Sequence, residues 1–328
     1  CRLERGLEPG PDPELVTVDL RDRAGKRRRL AAGDVGDQVG PAEIDRAVAG
    51  HGPEGNGVAV GQAGEVEVGQ AYIDYDINAN AAARGGLMLI PVGILNETHE
   101  PPTFYGVERN DVENIIVPST WWAGGAAVTL RSEAGWQWDF MIHEGLAMPT
   151  TGGSAYRVRS GRQKTSEATA TDFAYTTRLR YTGVQGVELA ATLQYQSDPS
   201  QVDNDGLDDG LLYTVHANLN RGAFGLRALY GAWQFSGDAV EAAGADEQTG
   251  WYLEPSWRLM PALGVYARYE DLDAARTQDQ FSQWEVGANY YLHPQVVLKA
   301  DVRVREHDLA SEAGRDFDGV DLGIGYYF

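Results

Sequence analysis

The last segment of the chain alternates strictly between apolar residues and small or polar ones. Apolar side chains occupy every second position here: Val320, Leu322, Ile324, Tyr326 and Phe328. On a β-strand this spacing places one apolar stripe on one face of the sheet. The pattern therefore predicts a strand between an apolar and a polar environment. An amphipathic strand of a soluble sheet would show the same pattern, so this segment alone does not distinguish a strand of a membrane barrel from a strand of a soluble sheet.

About thirteen segments of this kind follow one another from about residue 65 onward. The regular ones are 136–143, 175–182, 187–196, 213–220, 224–235, 251–259, 263–270, 284–292, 296–305 and 320–328, and the less regular ones are 66–75, 83–90 and 124–131. Tilted strands of about ten residues are long enough to cross a bilayer. Trp136, Trp138 and Phe140 are examples of the stripe that we assign to lipid, with aromatic side chains near the strand ends.

The connections between these segments alternate in length. Short joins such as 78–80, 133–135 and 183–186 are followed by long ones at 94–120, 148–168, 198–209, 237–248, 271–280 and 308–316. Outer-membrane barrels have short periplasmic turns and long external loops, whereas a soluble sandwich gives no reason for the alternation. We therefore predict an all-β protein of the bacterial outer membrane. Its fold would be a transmembrane antiparallel up-and-down β-barrel of about 14–16 strands with long external loops.

The first part of the chain does not follow this pattern. Residues 15–20 form one short strand candidate, and the run 26–29 is Lys-Arg-Arg-Arg, which would be costly against lipid. Residues 33–64 are rich in Gly, Pro and charge, which is typical of loop or disorder. We expect residues 1–64 to be a poorly structured or atypical N-terminal segment and residues 65–328 to form the barrel.

Composition narrows the possible partners. The 328 residues carry a formal net charge of -21, which argues against nucleic acid, because phosphate binding needs a basic surface. We find no Cys/His ligand cluster, phosphate-binding Gly loop or cofactor motif, so we expect no metal and no cofactor. Residues 203–209 resemble half of a calcium loop but lack the distal Glu, which favours a solvated acidic turn.

Strand alternation also places charged residues on the face opposite the lipid. The cations predicted to line the pore and guide anions are Arg84, Arg131, Arg178, Arg180, Arg227, Arg258, Arg268, Lys299, Arg303 and Arg305. The acids predicted on the same face are Asp74, Asp139, Glu188, Glu254, Glu270, Glu285, Asp301 and Asp321. The alternative to anion guidance is that these charges pair across the lumen and only hold it open.

Two long loops carry further candidates. The first is a basic loop with no acid among its cations, which are Arg157, Arg159, Arg162 and Lys164. At a pore mouth such a segment would raise the local anion concentration, although a solvated charged loop is an equal alternative. The second is the proline-containing segment 94–120, whose apolar groups predict that it folds into the barrel and narrows it. Its candidate constriction residues are Asn96, Glu97, His99, Glu100, Phe104, Tyr105 and Arg109.

Several motifs resemble the phosphate-selective porin O and P family. They are Val-Gly-Ile-Leu-Asn-Glu-Thr-His-Glu-Pro-Pro-Thr-Phe-Tyr-Gly-Val-Glu-Arg at 92–109, Ile-Ile-Val-Pro-Ser-Thr-Trp-Trp at 115–122, the segment 186–197 and the terminus 318–328. The resemblance covers about residues 65–328 and implies a trimeric outer-membrane barrel of about sixteen strands. It also implies inward-folded loops and lumenal arginines that guide anions, a part that Arg178, Arg180, Arg303 and Arg305 would play.

The expected function is therefore an outer-membrane porin. It would be a homotrimeric passive channel for small hydrophilic solutes or ions, with anions such as phosphate among the candidates, surrounded by outer-membrane lipid. A structural or adhesive barrel with a plugged lumen is the main alternative, and an outer-membrane hydrolase is a weaker one. His143 and Asp139 share the lumenal face, but strand residues four apart lie roughly 13 Å from each other, too far to hydrogen bond. We therefore expect no catalytic residues.

Overall fold

The chain forms one antiparallel sheet. The computed structural model describes residues 16–21, 27–32, 69–163 and 165–327. The strands are β1 (Val16–Arg21), β2 (Arg27–Ala32), β3 (Ala71–Asn78), β4 (Ala81–Leu89), β5 (Trp122–Arg131), β6 (Trp136–His143), β7 (Ala174–Tyr181), β8 (Val187–Gln196), β9 (Gly210–Arg221), β10 (Phe224–Phe235), β11 (Glu247–Met260), β12 (Leu263–Asp273), β13 (Phe281–His293), β14 (Val296–His307) and β15 (Phe317–Tyr326). Each strand pairs with the next along the chain in the order β1 to β15. The predicted all-β, up-and-down topology is confirmed.

Helical structure in these ranges consists of short turns, including the α-helix α1 (Asp238–Ala242) and a π-helical turn at Val112–Ile116. Within the described ranges, no helix combines the length and the apolar character that crossing a membrane requires.

The predicted alternation of short and long joins is present from β3 to β15. Two residues separate β3 from β4, β9 from β10 and β13 from β14, whereas the intervening joins are long loops such as 90–121 and 144–173. The β9–β10 turn places Gly222 at a φ of 63°, which glycine adopts at little cost. All long loops therefore lie at one end of the sheet and all short turns at the other.

The register separates an apolar outer face from a polar inner face. In β6, Trp138 is 53% exposed and the next residue, Asp139, is 6% exposed. Large apolar side chains are exposed along the outer face of the other strands, among them Leu189, Leu193, Trp284, Val286, Val302, Leu322 and Ile324. This is the face that the alternation assigned to lipid.

Two strands lie within the segment 1–64. Strand β1 pairs with β2, and β2 pairs with β3 through positions such as Ala32 and Ala71. The short candidate at 15–20 overlaps β1, but the pattern did not indicate β2, because its arginine run obscured any apolar period. The other residues before 69, together with Lys164 and Phe328, lie outside the described residues, so the proposed domain boundary stays a prediction.

An apolar core lies on the inner side of the sheet. It joins the loop 90–121, the loop that follows β6, and strands β10 to β13. Its largest buried members include Ile90, Leu95, Val112, Ile116, Trp121, Leu146, Met148, Tyr156, Val158, Trp233, Phe235, Tyr252 and Phe281. Burial of apolar surface at about 25 cal/mol per Å² makes such a core a large stabilising term. The long loops are therefore a packed part of the interior.

Candidate functional site

The loop between β4 and β5, residues 90–121, folds into the space enclosed by the sheet, and we call it the constriction loop. Its Glu97 carboxylate forms an ion pair with Arg178 on β7. The Val107 N–H donates a hydrogen bond of 2.7 Å to Asp301 on β14. This single loop thus contacts strands that lie seven places apart in the sheet. The sheet must therefore curve around the loop, as predicted for a segment that narrows a barrel.

Asn96 closes the base of the constriction loop. Its side-chain amide donates to the carbonyl oxygens of Ile90 and Trp121 at 2.8 and 2.9 Å, and its Oδ1 accepts from the Trp121 N–H at 2.6 Å. Asn96 is buried, so these bonds satisfy polar groups that would otherwise be costly. The side chain fixes the two ends of the loop side by side.

Glu113 fixes the far part of the loop. Its buried carboxylate accepts hydrogen bonds from the N–H groups of Ile94 and Leu95 at 2.5 and 2.7 Å. It also accepts from the Tyr252 hydroxyl on β11 at 2.7 Å and from the Asn110 amide at 3.3 Å. A buried carboxylate needs several donors, and here they come from the loop and from the wall. The sequence pattern did not single out Glu113, although it is the one acid within the apolar run 112–118.

The predicted aromatic residues of the loop lie against the wall. Phe104 is buried, and its carbonyl oxygen accepts from Asn289 Nδ2 at 2.9 Å and from Lys299 Nζ at 3.1 Å. The Lys299 ammonium also lies 3.5 Å from the centre of the Phe104 ring. Tyr105 stacks on Tyr266 of β12 with ring centres 5.1 Å apart. These two residues therefore hold the loop in place.

The polar candidates of the loop lie near one another. His99 Nδ1 is 3.1 Å from the Asn96 carbonyl oxygen. Arg109 donates to the Ser119 hydroxyl at 3.2 Å and to the His99 carbonyl at 3.4 Å. The Glu100 carbonyl accepts from the Thr103 N–H at 2.9 Å. Burial lowers the pKa of Arg109.

A family model and several solved structures match this chain. A family model described as "Gram-negative porin" matches residues 142–308, slightly more than half of the chain, from the end of β6 through β14. The chain belongs to this family of porins. Together with the fold, the family makes it a transmembrane β-barrel of the bacterial outer membrane.

Solved structures share the fold of this porin at low identity. An anion-selective porin from Comamonas acidovorans aligns with a TM-score of 0.58 and 14% identity, over 95% of this chain and 87% of the other. The outer membrane channel DcaP of Acinetobacter baumannii gives 0.53 and 13%, over 93% and 80% of the two chains. A loop-deletion mutant of OmpT, an outer membrane protein of Vibrio cholerae, gives 0.53 and 9%, over 81% of each chain.

An uncharacterized protein of Aquifex aeolicus (strain VF5) is 27% identical in an alignment of length 275 that covers 75% of this chain. The alignment spans 62% of that relative's length.

Most cations predicted to line the wall of this porin are in ion pairs. Those with a carboxylate at salt-bridge distance are Arg84, Arg178, Arg180, Arg227, Arg268, Arg303 and Arg305. Arg84, for example, lies 2.9 Å from Asp74 on the neighbouring strand. These pairs join neighbouring strands, or the wall and a loop, whereas the alternative to anion guidance placed the pairs across the lumen.

Three of the predicted pore-lining cations are covered by the constriction loop or by neighbouring side chains. Arg268 is 1% exposed and lies 3.1, 3.6 and 2.9 Å from Glu254, Glu270 and Glu285. Arg178 and Lys299 are also buried. They do not present an open surface to the lumen, contrary to expectation. Alternation predicts the face of the sheet on which a residue lies, but it cannot predict what covers that face.

Arg131 and Arg258 lie near the short-turn end of the barrel. Arg131 is exposed at the end of β5, and the Arg258 guanidinium lies 4.2 Å from the centre of the Tyr291 ring. Neither has a carboxylate at salt-bridge distance in the part of the chain that the structure describes.

The basic loop packs onto the constriction loop. Arg162 donates to the carbonyl oxygens of Ser119 and Thr120 at 2.9 and 2.8 Å. Arg159 donates to the Asn114 carbonyl at 3.4 Å. Two loops thus bring together a set of cations that we call the arginine row: Arg109, Arg157, Arg159 and Arg162. Lys164, the fourth cation predicted for the basic loop, lies outside the described residues.

The positive charges of the arginine row act on one another. Burial, followed by the charges of Arg162, Arg109 and Arg157, lowers the pKa of Arg159. Among the described residues, Arg109, Arg157 and Arg159 have no carboxylate at salt-bridge distance. Clustered cations that are partly removed from water repel one another, and an anion between them relieves that repulsion.

His143, which was considered for catalysis, and His216, a second histidine on the inner face, have other partners. His143 Nε2 lies 2.9 Å from the Thr176 hydroxyl, while Asp139 forms an ion pair with Arg178 at 2.8 Å. His216 Nε2 lies 3.3 Å from Glu188. His143 and Asp139 are therefore engaged separately on the wall.

Proposed function

We propose that this porin is a passive diffusion channel that prefers small anions, phosphate among them, and that the constriction loop is its sieve. The arginine row is the observation that carries the proposal. The wall cations mostly have carboxylate partners at salt-bridge distance, whereas Arg109, Arg157 and Arg159, from two loops, have none among the described residues. Positive charge at a narrow passage raises the local concentration of anions and the rate at which they enter.

The net charge of the whole chain does not oppose this preference. Ion-paired charges produce a field that falls off quickly, so the paired wall contributes little to selectivity. Acids on the outer ends of exposed loops are screened by salt over about 8–10 Å. Selection then depends on the unpaired charges closest to the path of the solute. The fold is shared with the anion-selective porin from Comamonas acidovorans, which agrees with the proposal.

The proposal is tested by the reversal potential of the purified porin in a planar bilayer under a KCl gradient. We expect the wild-type potential to show anion preference. The double variant Arg109→Gln/Arg159→Gln should shift the potential toward cation preference, because it removes two positive charges that have no carboxylate at salt-bridge distance among the described residues. Replacing chloride by phosphate on one side then measures whether phosphate passes.

Arg315→Gln provides the control for the single variant Arg159→Gln, since each removes one positive charge. Arg315 lies in an external loop and has an acidic partner, Glu312, at 2.8 Å. An equal shift from Arg315→Gln and Arg159→Gln, or cation preference in the wild type, would contradict the proposal. A folded barrel without conductance would favour the structural barrel with a plugged lumen. The apolar core on the inner side of the sheet is compatible with that alternative.

A further inference from the structure

Glycines occur on the inner face of the strands over which the constriction loop passes. We call them the inner-face glycines: Gly231 on β10, Gly250 on β11, Gly264 on β12, and Gly323 and Gly325 on β15. None of the five adopts the left-handed backbone that favours glycine. Glycine weakens a strand interior, and a frequent reason to find it there is the close approach of another segment. The reason for glycine at these positions is therefore the space that a side chain would occupy, and not the backbone conformation.

The loop occupies the space that a side chain would need at these positions. A Cβ on Gly250 would lie 2.8 Å from Ile116 Cγ1 and 3.2 Å from Val112 Cγ1. A Cβ on Gly323 would lie 2.8 Å from Val107 Cγ1. Carbon atoms pack at about 3.5–4.0 Å, so these side chains, which are stiff at χ1, or the loop that carries them would have to shift.

The same relation holds elsewhere along the loop. Gly264 faces the Tyr105 phenol, and Gly325 faces the Pro101 ring. The contacts thus extend from the first half of the loop to the turn at Val112–Ile116. Strands β6, β7 and β8, where the loop is held through Glu97 and through the Pro91 carbonyl, contain no glycine.

We infer that the inner-face glycines position the constriction loop and thereby set the cross-section open to solutes. A side chain at any of them pushes the loop away from the wall and into the remaining passage. The inference rests on the proposed function, because a narrower passage is detected as lower conductance. It is independent of anion preference, because it concerns the position of the loop and not its charge.

The test compares single-channel conductance in Gly323→Ala with that of the wild type. We expect a decrease, on the order of twofold if the passage is as narrow as the constriction of a sieving pore. The double variant Gly323→Ala/Val107→Ala should recover conductance, because the Val107 Cβ lies 3.7 Å from the added carbon, an ordinary contact. Gly85→Ala on β4 is the matched control, since its Cβ would meet nothing within 4 Å.

A second readout is independent of conduction. Spin labels at Thr103→Cys in the loop and Ser132→Cys in a short turn, in a Cys1→Ser background, report the loop position as a distance distribution. Gly323→Ala should move this distribution and Gly85→Ala should not. An unchanged distribution in Gly323→Ala overturns the inference, even if the channel is silent. Unchanged or increased conductance of folded Gly323→Ala also overturns it, whereas a silent wild type with a shifted loop contradicts only the proposed function.

Discussion

Glu113 offers the sharpest test of how the constriction loop is held. Replacing it by Ala leaves the N–H groups of Ile94 and Leu95 and the Tyr252 hydroxyl without their acceptor inside the barrel. An unsatisfied buried donor costs about 1–3 kcal/mol, and partial relaxation of the loop favours the lower part of that range. Three donors at about 1–2 kcal/mol each give a loss of about 3–6 kcal/mol.

This cost falls on docking of the loop, because the strand ladder does not involve Glu113. We expect Glu113→Ala to remain a folded barrel by its heat-dependent mobility in gels, while its constriction loop becomes sensitive to protease and its single-channel current becomes noisy. Glu113→Gln is the matched control. It keeps one oxygen acceptor for the two N–H groups and should lose only about 1–2 kcal/mol. Equal protease resistance in Glu113→Ala and the wild type would refute the assignment of this carboxylate as the anchor.

Two further predictions concern the pH response of the channel and its oligomeric state. Partial burial raises the pKa of Glu108 in the constriction loop, against the opposing charges of Arg303 and Arg109. Its carboxylate therefore takes up a proton at a higher pH than a free Glu. The passage loses a negative charge, and anion preference in the reversal potential should grow as the pH falls below neutral; Glu108→Gln should weaken this response, and an unaltered response would contradict the role of Glu108. We also expect a homotrimer, seen as a three-subunit species after cross-linking in detergent, and a strictly monomeric product would contradict it.

The strands and the alternation of loops were predictable because both are local properties of the chain. A period of two marks a strand, and the number of residues between strands marks a loop. Of the apolar groups in segment 94–120 that were predicted to leave water, Phe104, Ile115 and Ile116 are buried, whereas Tyr105 is only partly buried.

The ion pairs were not predictable in the same way. Arg178 pairs with Asp139, its neighbour across the β6–β7 register, and with Glu97 in the constriction loop. Alternation gives the face of each strand but not the register between strands or the path of a loop. Arg178 was therefore expected to be an exposed anion guide, when it is a buried link between wall and loop. Glu113 was missed for the same reason, since its donors come from distant parts of the chain.

The separation of paired wall charges from the arginine row has a consequence for how such a protein changes over generations. Arg157 and Arg159 lie in a loop, so their replacement alters no strand pairing. If the arginine row selects the solute as proposed, a lineage can exchange one preferred solute for another through a few point mutations in two loops. The barrel sequence that directs insertion into the membrane meanwhile stays under its own, separate selection.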